Sequence, residues 1–78
     1  MSTELGSIEG RHEVVLDERK RLSEYRPSTL HLVRFSGGVK NGVMLSLVVQ
    51  QSDGTWTDVQ LTKEQVKELV NTLSKEML

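Results

Sequence analysis

The stretch Val43-Met44-Leu45-Ser46-Leu47-Val48-Val49-Gln50-Gln51-Ser52-Asp53-Gly54-Thr55-Trp56-Thr57-Asp58-Val59-Gln60-Leu61-Thr62-Lys63-Glu64-Gln65 decides the fold. Its two runs are rich in Val, Leu, Trp and Thr, which suit a pleated surface. Ser52-Asp53-Gly54 separates them. A two-residue Asp53-Gly54 turn would mix apolar and polar side chains on both faces of the hairpin. A three-residue loop pairs Gln51 with Thr55, Val49 with Thr57, Leu47 with Val59 and Leu45 with Leu61, which leaves one face clean. Such a loop is a type I turn closed by a left-handed residue, and Gly54 takes that conformation without a Cβ penalty. Thr62 with Gln65 three residues on spells a capping box. From there Val66, Leu69, Val70, Leu73 and Met77 recur at helical spacing.

Working outward, Leu30–Ser36 reads as a preceding strand. A three-residue Lys40-Asn41-Gly42 loop pairs Val39 with Val43, Phe35 with Leu47 and Val33 with Val49. Gly37-Gly38 then reads as a bulge or an early strand end. This register gives one face of Val33, Phe35, Val43, Leu45, Leu47, Val49, Val59 and Leu61, which the C-terminal helix is expected to cover. The other face carries Leu32, Arg34, Met44, Ser46, Val48, Gln50, Trp56, Asp58 and Gln60. The expectation is an α+β domain over residues 27–78, a three-stranded antiparallel β-meander with a C-terminal α-helix packed on one face (βββα).

The N-terminal third reads differently. Residues 1–12 are polar and Gly-punctuated, as in a disordered tail. Ile8-Glu9-Gly10-Arg11 also spells the site of a clotting protease used to remove expression tags, so a native tail and a tag remnant both stay open. Residues 13–26 read as a helical or flexible arm, although Val14-Val15-Leu16 could also open a short strand. Asp17-Glu18-Arg19-Lys20-Arg21 favours helix by propensity, and Pro27 discourages helical geometry at Arg26.

Composition bounds the function. The chain has 78 residues, enough for one domain, and a formal net charge of −1. Residues 11–40 hold seven bases (Arg11, Arg19, Lys20, Arg21, Arg26, Arg34 and Lys40) among four acids (Glu13, Asp17, Glu18 and Glu24). That asymmetry reads as ordinary solvated charge before it reads as a nucleic-acid footprint. There is no cysteine, which excludes disulfides and thiolate zinc sites. No apolar run approaches the roughly 18 residues of a membrane span, and no secretory pattern opens the chain. A cytoplasmic setting is the expectation.

Catalytic patterns are missing as well. His12 and His31 are the two histidines, too few for a zinc site without cysteine. Ser36-Gly37-Gly38 lacks the Gly-Lys-Ser/Thr and the following helix that cradle a phosphate. Asp53 and Asp58 read as a turn and a strand residue with no paired carboxylate. The chain is expected not to be an enzyme and to use no cofactor, metal or small-molecule substrate.

The face away from the helix is more apolar than water alone requires, through Trp56, Met44, Val48 and Leu32. Three covers compete: the N-terminal segment folding back with Val15, Leu16, Leu22 and Tyr25; a protein partner or second copy; or a nucleic acid. The reading chosen is a small intracellular protein-interaction module, self-associating or binding a protein partner. It would act through Trp56, Met44, Val48, Arg34 and Leu32 or through a sheet edge. The alternative is a single-stranded nucleic-acid binder that stacks bases on Trp56 and meets phosphates with Arg34 and the arm bases. The junction Val59-Gln60-Leu61-Thr62-Lys63-Glu64-Gln65-Val66 resembles that of positive-cofactor-type transcriptional coactivators. That resemblance, which covers barely the last quarter of the chain, implies single-stranded DNA binding through a curved sheet. The basic strand loops of that family have no counterpart here.

Overall fold

The computed structural model describes residues 2–78. Six elements follow in order: β1 (Thr3–Val15), β2 (Ser23–Ser36), the single turn α1 (Gly38–Asn41), β3 (Val43–Gln51), β4 (Trp56–Leu61) and α2 (Lys63–Met77). The strands form one antiparallel sheet in the order β1-β2-β3-β4. The α+β class, the antiparallel sheet and the C-terminal helix match expectation. The sheet has four strands instead of three.

The extra strand is the segment read as a tail. Thr3–Val15 pairs along its length with β2, from Thr3 opposite Arg34 to Val15 opposite Ser23, with a bulge between Glu4 and Gly6. Residues 13–26 are therefore no helix. Asp17 closes a loop instead, accepting from the Arg21 N–H at 2.7 Å and the Leu22 N–H at 3.1 Å. Lys20 takes a left-handed φ of 58° inside it, which a helix does not allow. Beyond the loop, Pro27 holds Arg26 extended, and tertiary pairing overrides the helix propensity of the charged run.

The β3–β4 hairpin has the expected register: Leu45 opposes Leu61, Leu47 opposes Val59 and Val49 opposes Thr57. Gly54 has φ 89°, and the Asp53 carboxylate accepts from the Thr55 N–H at 2.9 Å and the Thr55 hydroxyl at 2.7 Å. The capping box also forms. The Thr62 hydroxyl accepts from the Gln65 N–H at 3.3 Å, and the Gln65 side-chain oxygen accepts from the Thr62 N–H at 2.9 Å.

The β2–β3 register differs from expectation by three residues. Phe35 opposes Met44, Val33 opposes Ser46 and Leu32 opposes Leu47. The connection is not a three-residue turn. It is one helical turn bounded by Gly38 at φ 89° and Gly42 at φ 66°. The Gly42 N–H bonds the Gly38 carbonyl at 2.8 Å, and the Gly37 N–H bonds the Gly42 carbonyl at 2.6 Å. An odd shift turns every β2 side chain to the other face. Leu30, Leu32 and Arg34 now share the helix side with Leu45, Leu47, Val49, Val59 and Leu61. Val33, Phe35 and His31 join Trp56 on the helix-free side.

Helix α2 covers less than expected. Its main neighbours are β3 and β4, and Gln65, Leu69 and Thr72 face Leu47 and Leu61 across a shallow groove. Val66 and Leu69 are half-buried there, while Val70, Leu73 and Met77 are exposed. Among the described residues no hydrophobic side chain is buried, and the two buried residues are serines, Ser28 and Ser46. The accessible surface is 6430 Å², against about 4,800 Å² for a globular monomer of this size. The radius of gyration is 15.3 Å, against about 11.5 Å for a globular chain of this length.

Candidate interaction surfaces

Both sheet faces are open, and they differ in chemistry. Cross-strand pairing sets the rows of the helix-free face. One row runs Glu9, Thr29, Gln50, Trp56; the next runs Ser7, His31, Val48, Asp58; a third joins Glu4, Val33, Ser46 and Gln60. Phe35 and Met44 pair at its end. Trp56 is 59% exposed, and the His31 ring stacks on it with centroids 5.8 Å apart and planes 20° from parallel. Along the arm, the Arg11 guanidinium lies 5.1 Å from the Tyr25 ring centroid. The face holds four carboxylates, Glu4, Glu9, Glu13 and Asp58, against one guanidinium, Arg11.

His31 is the best-connected polar group on this face. Its Nδ1 lies 2.7 Å from a Glu4 carboxylate oxygen, and its Nε2 lies 3.1 Å from the Gln50 side-chain oxygen. The protonated ring satisfies both oxygens with its two N–H groups. The Glu4 bond, then the Gln50 bond, raise the His31 pKa above the ordinary 6.5. A raised histidine pKa contributes stability that is fully present below 6.5 and lost as pH rises through the folded value. Glu4→Gln is expected to move the His31 titration toward lower pH, read from its ring protons by NMR. An unmoved titration would show that Glu4 does not hold the proton.

Asp53 shifts the other way. The Thr55 hydroxyl bond, then the Thr55 N–H bond, hold it below the ordinary 3.8. Its contribution is present above 3.8 and is lost as pH falls through the lower folded value.

The helix side is the more apolar surface. Ile8, Leu30, Val49 and Thr57 make one row; Gly6, Leu32, Leu47 and Val59 make the next. Ile8 is 54% and Val59 is 56% exposed. Thr3, Arg34, Leu45 and Leu61 form the row nearest the start of α2. There an apolar cavity of about 370 Å³ opens between sheet and helix, lined by Leu5, Val43, Leu45 and Val66 with Arg34, Lys63 and Lys67 at its walls.

The five residues singled out from sequence are thus divided. Trp56 and Val48 lie near each other on the helix-free face, Met44 lies at the far end of that face and also borders the cavity beside α2, and Arg34 and Leu32 lie on the helix side. His31 and Val33 are the residues missed near Trp56, and Phe35 is missed at the far end of the same face, opposite Met44. The glycines flanking Val39-Lys40-Asn41 are the signal for the longer connection that places them there. Val15, Leu16, Leu22 and Tyr25 do not fold back on Trp56; all four are exposed on the arm.

Among the described residues no group of three or more His, Cys, Asp or Glu is placed to hold a metal ion. Among the described residues no helix is long and apolar enough to cross a membrane. No protein-family model, curated protein or solved structure matches the chain.

Proposed function

We propose that this chain is a non-enzymatic interaction module that self-associates, burying its helix-side sheet face and the free half of α2 against a second copy. The excess accessible surface carries this reading. Relative to a globular monomer it amounts to roughly 1,600 Å² per chain, so roughly 3,200 Å² for a pair, which lies in the range of obligate homodimers. The protruding β1–β2 ribbon contributes part of that excess, and exposed apolar side chains on the helix side, Ile8 and Val59 on the sheet and Val70, Leu73 and Met77 on the helix, supply a surface for the second copy. A reducing, cytoplasmic setting suits a chain with no cysteine.

The nucleic-acid alternative is less well supported. Trp56 and Arg34 sit on opposite faces, so one strand cannot stack on the first and pair with the second. The Trp56 face is rich in carboxylates, and the arm bases Arg21 and Arg26 are engaged by Asp17 and Glu24.

Sedimentation equilibrium over a wide concentration range tests the proposal. A dimer that dissociates on dilution, with loss of the folded signal, is expected. A folded monomer at high micromolar concentration would sink it.

A further inference from the structure

The cavity beside the start of α2 carries an unbalanced charge. Arg34, Lys63 and Lys67 surround an apolar floor of Leu5, Val43, Leu45 and Val66. Among the described residues, none of the three cations lies within ion-pair distance of a carboxylate. An apolar pocket walled by three cations fits an apolar side chain that arrives beside a carboxylate.

Helix α2 carries that combination at its far end. Glu76 and Met77 close the helix, and Met77 is 76% exposed. A closed dimer is isologous, so each copy offers the same helix and the same cavity. An antiparallel crossing of the two helices that sets Leu73 against Val70 also sets Met77 against Val66. The same crossing brings Glu76 level with Lys67. The negative end of each helix dipole then lies toward the cations of the other copy. Methionine is unbranched and fills irregular gaps, as this cavity requires.

We infer that the Leu5–Val43–Leu45–Val66 cavity is the docking site for the C-terminal turn of a second copy's α2. Met77 of that copy enters the apolar floor, and its Glu76 is held by the Arg34–Lys63–Lys67 trio. This rests on the self-association reading and adds the orientation of the pair. Each site is incomplete until the other copy supplies the carboxylate.

A charge-exchange cycle on the full chain tests it, with dissociation constants measured by sedimentation. Glu76→Arg alone and Lys67→Glu alone are each expected to weaken the dimer by about tenfold, as is Arg34→Glu. Combining Glu76→Arg with Lys67→Glu, or with Arg34→Glu, is expected to restore the affinity to within about threefold of the parent. A parent chain that dimerises while both double variants show the summed losses of their singles overturns the docking site and leaves self-association standing. A parent chain that is monomeric overturns self-association itself.

Discussion

Leu73→Asp is expected to raise the dissociation constant by at least about 100-fold and to unfold most of the chain at low micromolar concentration. Within one protomer Leu73 is 43% exposed and lies in the C-terminal half of α2. If the protomer stood alone, the loss of a partly covered leucine and an acid near the helix C-terminus would cost about 1–2 kcal/mol of stability and leave the oligomeric state unchanged. If Leu73 is buried against a second copy, the new carboxylate must leave water without a partner. A 100-fold loss corresponds to about 2.7 kcal/mol, within the range of an interface hot spot. Sedimentation and circular dichroism on the same samples read both effects. A Leu73→Asp chain as folded and as associated as the parent would remove α2 from the interface.

Leu47→Ala is expected to lower unfolding stability by about 2–5 kcal/mol, the cost of truncating a core leucine. Leu47 sits mid-sheet between Leu32 and Val59, beside Leu69 of the helix. It is half-buried in the single protomer. A half-exposed leucine recovers part of its hydration already, so truncation would cost only about 1 kcal/mol if no copy covered it. Denaturant unfolding at two protein concentrations separates the cases, since an association-linked transition moves with concentration. A cost near 1 kcal/mol, independent of concentration, would place the interface elsewhere.

The parts of the fold legible in sequence are those with local causes. Ser52-Asp53-Gly54 and the Thr62–Gln65 capping box act through neighbours in the chain, and both form as read. Strand β1 was not legible because neither of its faces is buried within the protomer. Ile8-Glu9-Gly10-Arg11-His12-Glu13-Val14 does alternate, with charge at Glu9, Arg11 and Glu13. Without a buried face, though, its other positions had no reason to be uniformly apolar, and the pattern resembles a tail. The β2 register failed for a related reason. A parity test needs one apolar and one polar face, and β2 offers Leu30 and Leu32 on one side and Val33 and Phe35 on the other. The candidate site divided along the same line. Trp56, Met44 and Val48 depend on the β3–β4 hairpin, which was readable. Arg34 and Leu32 depend on the β2–β3 connection, whose helical turn the sequence marks only by its flanking glycines.

The last β2–β3 pair is Ser28 with Gln51, so Arg11–Val15 and Ser23–Pro27 continue past the sheet as a two-strand ribbon. A ribbon of this kind is marginally stable by itself, and its amides are shielded from solvent by each other alone. It opens on its own schedule, whereas the centre of β2, paired on one side with β1 and on the other with β3, opens only with the sheet itself. One continuous strand, Ser23–Ser36, therefore spans two clocks, fast at Tyr25 and slow at Leu32.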